Sequence, residues 1–458
     1  MRLVYINPVT ELGDIGVVEA AALLAARKAS SRELVEACLA RIAERDGGRS
    51  FDGDPGSVNA WVRVYEEDAL AAADRADALG RRAFDNAGPL RGIPVGLKDL
   101  YAVAGKPLTA SSRVLDEVPA RSCTAWERLE QAGMVLLGHL HTHEFAAGGT
   151  TDQVGNPWDL RCSPGGSSGG SAAALAAGMT PAATGTDTAG SLRIPSAMCG
   201  TSTVKPTAGM VPIRGIVPLG PTLDHAGPMA RDLADCELLL AALAAVEAPG
   251  ERRPLRRVVV SPRIGGLDPD VAESFERALT HVPLVEVPPP EVELDLGMTF
   301  IDVCCAGMLA YHRRFDGLRE LYRPSIRGFL EHAEARAMSA EEYAAAQLRR
   351  LQLTARWLDW FHEHRIDAVI EPTLPIVAHE RGHGYDEAFT DFAEISLTHY
   401  WDWTGFPVVA FPSGTGRRSG LPTSVSLIGP AGSDWDLLAA GRGIQAEVGA
   451  LPPRAPSG

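Results

Sequence analysis

From Thr142 to about Pro228 the chain is made largely of Gly, Ser, Thr and Ala, with few charges. A flexible linker would share that composition. This stretch, however, is interleaved with Trp158, Leu175, Met179, Leu192, Ile194 and Met198, side chains that gain by leaving water. The combination predicts a packed centre in which backbones approach closely and loops use glycine-only conformations. Such a centre needs a frame around it, and 458 residues suffice for one large α/β domain with a deep core.

The flanking segments supply that frame. Ser30 and Glu33 have capping-box spacing ahead of an apolar stripe of Leu34, Val35, Cys38, Leu39 and Ile42, which predicts a helix. Glu66 to Arg82 reads as a second helix. The apolar core of Arg91 to Leu100, bounded by Gly and Pro, predicts a buried strand and its exit turn. Val258–Val260, a helix opened by Asp268-Pro269, and Leu284–Val287 make a βαβ-like unit. Ser339 and Glu342 open a long helix whose buried stripe is expected at Leu348, Leu351, Ala355, Leu358 and Phe361. Asp367–Ile370, Phe406–Phe411 and Ser424–Ile428 read as further core strands. Strands alternating with helices, without a fixed repeat, predict an α/β architecture.

Composition narrows the function. A net charge of −15 argues against a broad nucleic-acid footprint, which needs clustered Lys and Arg, so no nucleic-acid partner is expected. The run Ala172–Met179 falls short of a membrane span, so no membrane partner is expected either. The first residues are interrupted too soon by Asn7-Pro8 to form a secretory signal. Seven cysteines, an odd number with no C-x-x-C pair, fit a reduced cytoplasmic protein.

Three segments carry candidate chemistry. Ser163-Pro-Gly-Gly-Ser-Ser-Gly-Gly-Ser171 contains G-x-S-x-G twice, the pattern of an α/β-hydrolase nucleophile elbow. That elbow needs a downstream acid and histidine, and nothing singles one out between His225 and His399. A Walker A loop is excluded because the G-K-[ST] ending is missing. In Gly185-Thr-Asp-Thr-Ala-Gly-Ser191 the small residues would let successive backbone N–H groups converge on an oxyanion. Lys98 ends an apolar strand, where desolvation would lower its pKa and leave a neutral amine able to act as a base.

At these residues the sequence resembles the amidase signature family. Gly165-Gly-Ser-Ser-Gly-Gly170 and Gly185–Ser191 match its two serine motifs, and Gly92-Ile-Pro-Val-Gly-Leu-Lys-Asp99 matches its lysine motif. Asn156-Pro-Trp158, Lys205-Pro-Thr207, Leu223-Asp224 with Gly227-Pro228, Glu371-Pro-Thr373 and Thr404-Gly-Phe-Pro407 extend the likeness from about residue 15 to 445. The resemblance implies one amidase domain over residues 1–458, a central mixed, twisted β-sheet covered by helices on both faces. Its signature core would span about 90–230, with a variable, substrate-shaping region at about 298–404.

The resemblance also implies roles. Ser191 would be the nucleophile forming an acyl-enzyme. Ser167, after a cis Gly166–Ser167 bond, would be the bridging serine, and Lys98 the base and later the acid. The backbone N–H groups of Thr188, Ala189, Gly190 and Ser191 would form the oxyanion hole. Many members have glycine where this chain has Ala189, whose Cβ resists positive φ, so some change of loop geometry is expected there. Tyr400, Trp401 and Trp403 are candidates for lining the acyl pocket, with core packing as the alternative fate. The implied function is hydrolysis of a small-molecule carboxamide to a carboxylate and ammonia or an amine, with no cofactor and no metal. The alternatives are the glutaminase subunit of a tRNA-dependent amidotransferase and an allophanate hydrolase. A homodimer is the default assembly.

Other features have plainer readings. His139, His141, His143 and Glu144 resemble a metal cluster but read as supporting or surface residues. His379 and His383 are four apart, but glycines at 382 and 384 favour a loop over a ligand pair. Cys199, near Ser191 in sequence, reads as a small buried thiol.

Overall fold

The computed structural model describes residues 12–79, 88–382, 384–386, 388–389 and 392–457. Among them, one ten-stranded sheet has the order β1-β3-β2-β4-β6-β5-β9-β10-β8-β7. The strands are β1 (Trp61–Val64), β2 (Pro94–Lys98), β3 (Val135–Leu140), β4 (Ala182–Asp187), β5 (Ser202–Lys205), β6 (His225–Ala230), β7 (Val258–Val260), β8 (Ala368–Pro372), β9 (Val408–Thr415) and β10 (Pro422–Ile428). The sheet is mixed: β2 runs parallel to β3 and β4, and β7 to β8, while the remaining pairs are antiparallel.

Helices cover both faces of the sheet centre. Successive strand residues point to opposite faces, and neighbours Ala182 and Ala183 of β4 fall into different apolar clusters. Ala182 packs in a cluster with Leu239 and Leu240 of the helix Leu233–Ala244. Ala183 packs in another with Ala172 and Leu175 of the helix Gly169–Ala176. No helix among the described residues is long and apolar enough to cross a membrane.

The capping box at Ser30 and Glu33 opens the helix Ser31–Arg45 as expected. The next helix spans Glu66–Asp77; the rest of the segment expected to reach Arg82 includes positions 80–82, outside the described residues. Two expectations need correction. Leu284–Val287 is not a strand but makes an isolated bridge, Leu284 to Val258. Pro283 and Pro288–Pro290 flank it, and proline has no N–H to extend a ladder.

The second correction concerns the long helix, Ala340–Glu363, whose capping box is present. It buries Ala346, Leu353, Trp357, Trp360 and Phe361, leaving Leu348 and Leu351 56% and 68% exposed. The indoles outcompete the leucines for the core because each removes more apolar surface from water. Leu351→Glu should therefore change stability by less than about 0.5 kcal/mol, whereas Trp357→Ala should cost about 3–5 kcal/mol. Urea unfolding of the two variants checks this.

Candidate active site

β2 and β4 are parallel neighbours, with Gly96 opposite Ala183. They end on the same side of the sheet, Lys98 closing one and Asp187 the other. Open α/β sheets place their ligand crevices outside such carboxyl ends. Lys98 is fully buried. Its Nζ lies 2.7 Å from Ser167 Oγ, 2.9 Å from Ser168 Oγ and 2.8 Å from Thr186 Oγ1. Burial pushes its pKa well below the ordinary lysine value, although Asp187 and Asp224 pull the other way. An amine that hydrogen-bonds to three hydroxyls and, among the described residues, to no carboxylate can be neutral.

The loop that presents Ser167 contains a cis Gly166–Ser167 bond. A Cβ at Gly166 would stand 2.0 Å from the carbonyl oxygen of Thr150, so only glycine fits there. His143 N–H donates to the carbonyl of Ser167 at 2.9 Å. The helix Gly169–Ala176 then starts and carries the chain away beneath the sheet.

β4 leads into a five-residue loop and the helix Arg193–Cys199. The Asp187 carboxylate holds that loop, accepting from Gly190 N–H at 2.6 Å and Leu192 N–H at 3.2 Å. The positive φ of the loop falls on Gly190, at +129°, and not on Ala189. Ala189 therefore carries its methyl without the strain that a positive φ would impose. Of the four N–H groups expected at the oxyanion site, that of Gly190 is already given to Asp187. Among the described residues, nothing accepts from the N–H groups of Thr188, Ala189 or Ser191.

A buried charge network underlies the loop, and most of it escapes sequence reasoning. Arg193 donates to Asp187 through Nε at 2.9 Å and Nη2 at 3.0 Å, and to Asp402 through Nη2 at 2.6 Å. Burial alone would raise the Asp187 pKa, but Arg193 overrides it and holds the carboxyl below the ordinary range. Burial lowers Lys205 to about 8 and His225 to about 3. Arg193→Ala would leave the buried Asp187 carboxylate without its hydrogen-bonded cation and should cost about 3–5 kcal/mol of stability, read as a lower urea midpoint.

Ser191 opens into a cleft of about 600 Å³, counted with the solvent at its mouth. One wall is the segment Ala146–Gly149, where the chain has positive φ at Phe145 and Ala146. The remaining side chains on it are apolar or thiol-bearing, from Ala189, Ile194 and Leu219 to the helix Met298–His312 and the segment around Phe392. No charged side chain lines it among the described residues.

Tyr400, Trp401 and Trp403 are not on that wall. They are buried with Trp357, Trp360 and Phe361. Trp357 Nε1–H donates to Tyr400 Oη at 2.9 Å, and Trp401 Nε1–H to Glu371 at 2.5 Å. Tyr400 and Trp401 sit in the core, where their polar tips find partners, and Trp403 is buried beside them. Core packing thus wins over pocket lining.

The histidines at 139, 141 and 143 are buried and separately engaged. His139 pairs with Tyr65 Oη and the carbonyl of Tyr101, His141 with Ser111 Oγ, and His143 with the carbonyl of Thr150. The carboxyl of Glu144 accepts from Ser112 Oγ and Arg323 N–H. His379 lies beside Glu394 at 2.7 Å; His383 lies outside the described residues. Cys199 is buried, its thiol donating to the carbonyl of Pro164 at 3.4 Å and its pKa raised by burial.

Comparisons with known proteins identify the family. The sequence matches the Amidase family over residues 33–438. It is 34% identical over 496 residues to the A subunit of the glutamyl-tRNA(Gln) amidotransferase of Anaeromyxobacter dehalogenans, covering 97% of this chain and 99% of that one. The same-named protein of Halorhodospira halophila is 35% identical over 479 residues, 94% of this chain and 96% of that one. A crystal structure of an amidase superposes with a TM-score of 0.83 at 28% identity, covering 95% of this chain and 100% of that one. The expectation of no nucleic-acid partner is overturned here, since these relatives are named as subunits of an enzyme of glutamyl-tRNA. Net charge sums over a whole surface and does not speak for a local contact or a companion protein. With the family match, the fold and the lysine–serine geometry in agreement, the chain belongs to the amidase family.

Proposed function

We propose that the chain hydrolyses a carboxamide through an acyl-enzyme on Ser191, with Lys98 moving the protons through Ser167. The observation that carries this reading is the 2.7 Å approach of a fully buried, pKa-lowered Lys98 Nζ to Ser167 Oγ. Neutral Lys98 takes the proton of Ser167 as Ser167 takes that of Ser191. Ser191 Oγ then bonds to the amide carbon. The oxyanion is met by N–H groups of Thr188, Ala189 and Ser191, aimed where charge develops. On collapse the C–N bond breaks, and the proton on Lys98 returns through Ser167 to the leaving nitrogen. Water attacks the Ser191 ester, giving up a proton along the same route, and Ser191 regains one as the carboxylate departs.

The adjacent serines test the relay. Lys98 touches both, but Ser168 Oγ also donates to the carbonyl of Thr186 at 3.3 Å, a role within the scaffold. Ser167→Ala should lower kcat/KM by about 10³-fold, within the range of lost proton-transfer assistance. Ser168→Ala should lower it by about tenfold. Equal losses would remove the support for Ser167 as the relay.

The relatives favour a second reading, the glutaminase subunit of a tRNA-dependent amidotransferase. The cleft favours the stand-alone hydrolase. Glutamine carries an ammonium and a carboxylate, and allophanate a carboxylate; each would need a charged partner once desolvated. The described wall offers none. Ammonia release from a panel of aliphatic and aromatic amides, glutamine and allophanate decides among them. Turnover of simple amides above that of glutamine supports the hydrolase. Turnover of glutamine alone, rising when companion proteins are added, supports the amidotransferase.

A further inference from the structure

We infer that the cleft beside Ser191 selects carboxamides whose acyl group is an uncharged alkyl or arylalkyl chain, and that one face of the helix Met298–His312 is the specificity-determining wall. This rests on the acyl-enzyme reading and names its substrate class. The helix presents Phe300, Ile301, Cys304, Cys305 and Met308 to the cleft. Their offsets of one, four, five and eight from Phe300 are those of a single helical face. Ile194 and Leu219 also line the cleft, as does Ile395, so among the described residues the side chains of this cleft, Ser191 and the two thiols apart, are apolar, with Arg263 and Asp295 in the adjoining pocket.

Three phenylalanines extend this surface. Phe329 and Phe389 meet edge-on with centroids 4.6 Å apart, and Phe389 stacks on Phe392 at 6.4 Å. Phe392 is 49% exposed while Phe300 is 1% exposed, so the apolar lining runs from the interior towards solvent. A chain laid along it would bury methylene after methylene. The two cysteines do not break the pattern: burial pushes Cys305 up to about 12 and Cys304 also well above the ordinary thiol value, so both stay neutral.

The test separates binding from turnover. Ser191→Ala protein, which keeps the cleft, is titrated by calorimetry with propanamide, pentanamide, heptanamide and 3-phenylpropanamide. L-glutamine and succinamic acid serve as charged counterparts. Each added methylene should tighten binding about fourfold, corresponding to about 0.8 kcal/mol, until the chain outgrows the cleft. Glutamine and succinamic acid should bind at least about tenfold more weakly than pentanamide, having left water without a partner. Cys304→Asp, checked for native circular dichroism, should flatten the series. Phe389→Ala, at the half-buried end, should weaken heptanamide more than propanamide and serves if Cys304→Asp does not fold. A flat series in the parent, or tighter binding of glutamine, overturns the inference. Failure of the acyl-enzyme reading would appear elsewhere, as failure of a fluorophosphonate to label Ser191 in the unsubstituted protein.

Discussion

Ser191→Ala is expected to lower amide turnover by at least about 10⁴-fold while leaving the fold intact. The substitution removes one hydroxyl at a cleft wall. It leaves in place the Arg193 bonds to Asp187 and the Asp187 bonds to the loop, so thermal unfolding should shift by less than about 1 kcal/mol in stability. Without Oγ no acyl-enzyme can form, and hydrolysis in one step must manage without covalent catalysis. A fluorophosphonate should label the unsubstituted protein once, on Ser191. An adduct on Ser168 would reassign the nucleophile, as would one on Cys199, whose raised pKa keeps it a thiol.

What could be read from the sequence was what is written locally. Lys98, Ser167 and Ser191 stand in short motifs whose small residues announce close packing, and Lys98 and Ser167 meet in space. Strands such as β8, β9 and β10 were legible from apolar runs of β-branched and aromatic residues. The burial of the Ala340–Glu363 helix was not, because two apolar stripes compete on it and only the packed structure selects the one with Trp357 and Trp360. Nor was the Arg193–Asp402 pair, whose partners lie 209 residues apart. Charges that meet only after folding leave no periodicity to find. The pocket wall was legible only as a region, since the helix Met298–His312 carries apolar residues all round and its cleft-facing side depends on its neighbours.

Lys98→Ala should impair amide hydrolysis more than hydrolysis of an ester with the same acyl group. An amide nitrogen is too basic to depart unprotonated, so collapse of the tetrahedral intermediate needs an acid; an alkoxide leaves with less help. Lys98 supplies the base for attack and, once protonated, the acid for collapse, each assistance being worth about 10²–10⁴ in rate. The ester reaction should lose mainly the first contribution, and the amide reaction both.

The pH dependence follows from the same residue. Neutral Lys98 is the active form, and burial lowers its pKa. In the unsubstituted protein kcat/KM should therefore rise with pH as Lys98 deprotonates and level off above its lowered pKa. The decisive measurement is kcat/KM for a matched amide and ester, in the unsubstituted protein and in Lys98→Ala, across pH. The account predicts a larger loss for the amide, by about 10²-fold or more, and disappearance of the rising acidic limb in the variant. Equal losses for amide and ester with the limb unchanged would contradict it, making Lys98 a structural lysine and giving the proton to another group.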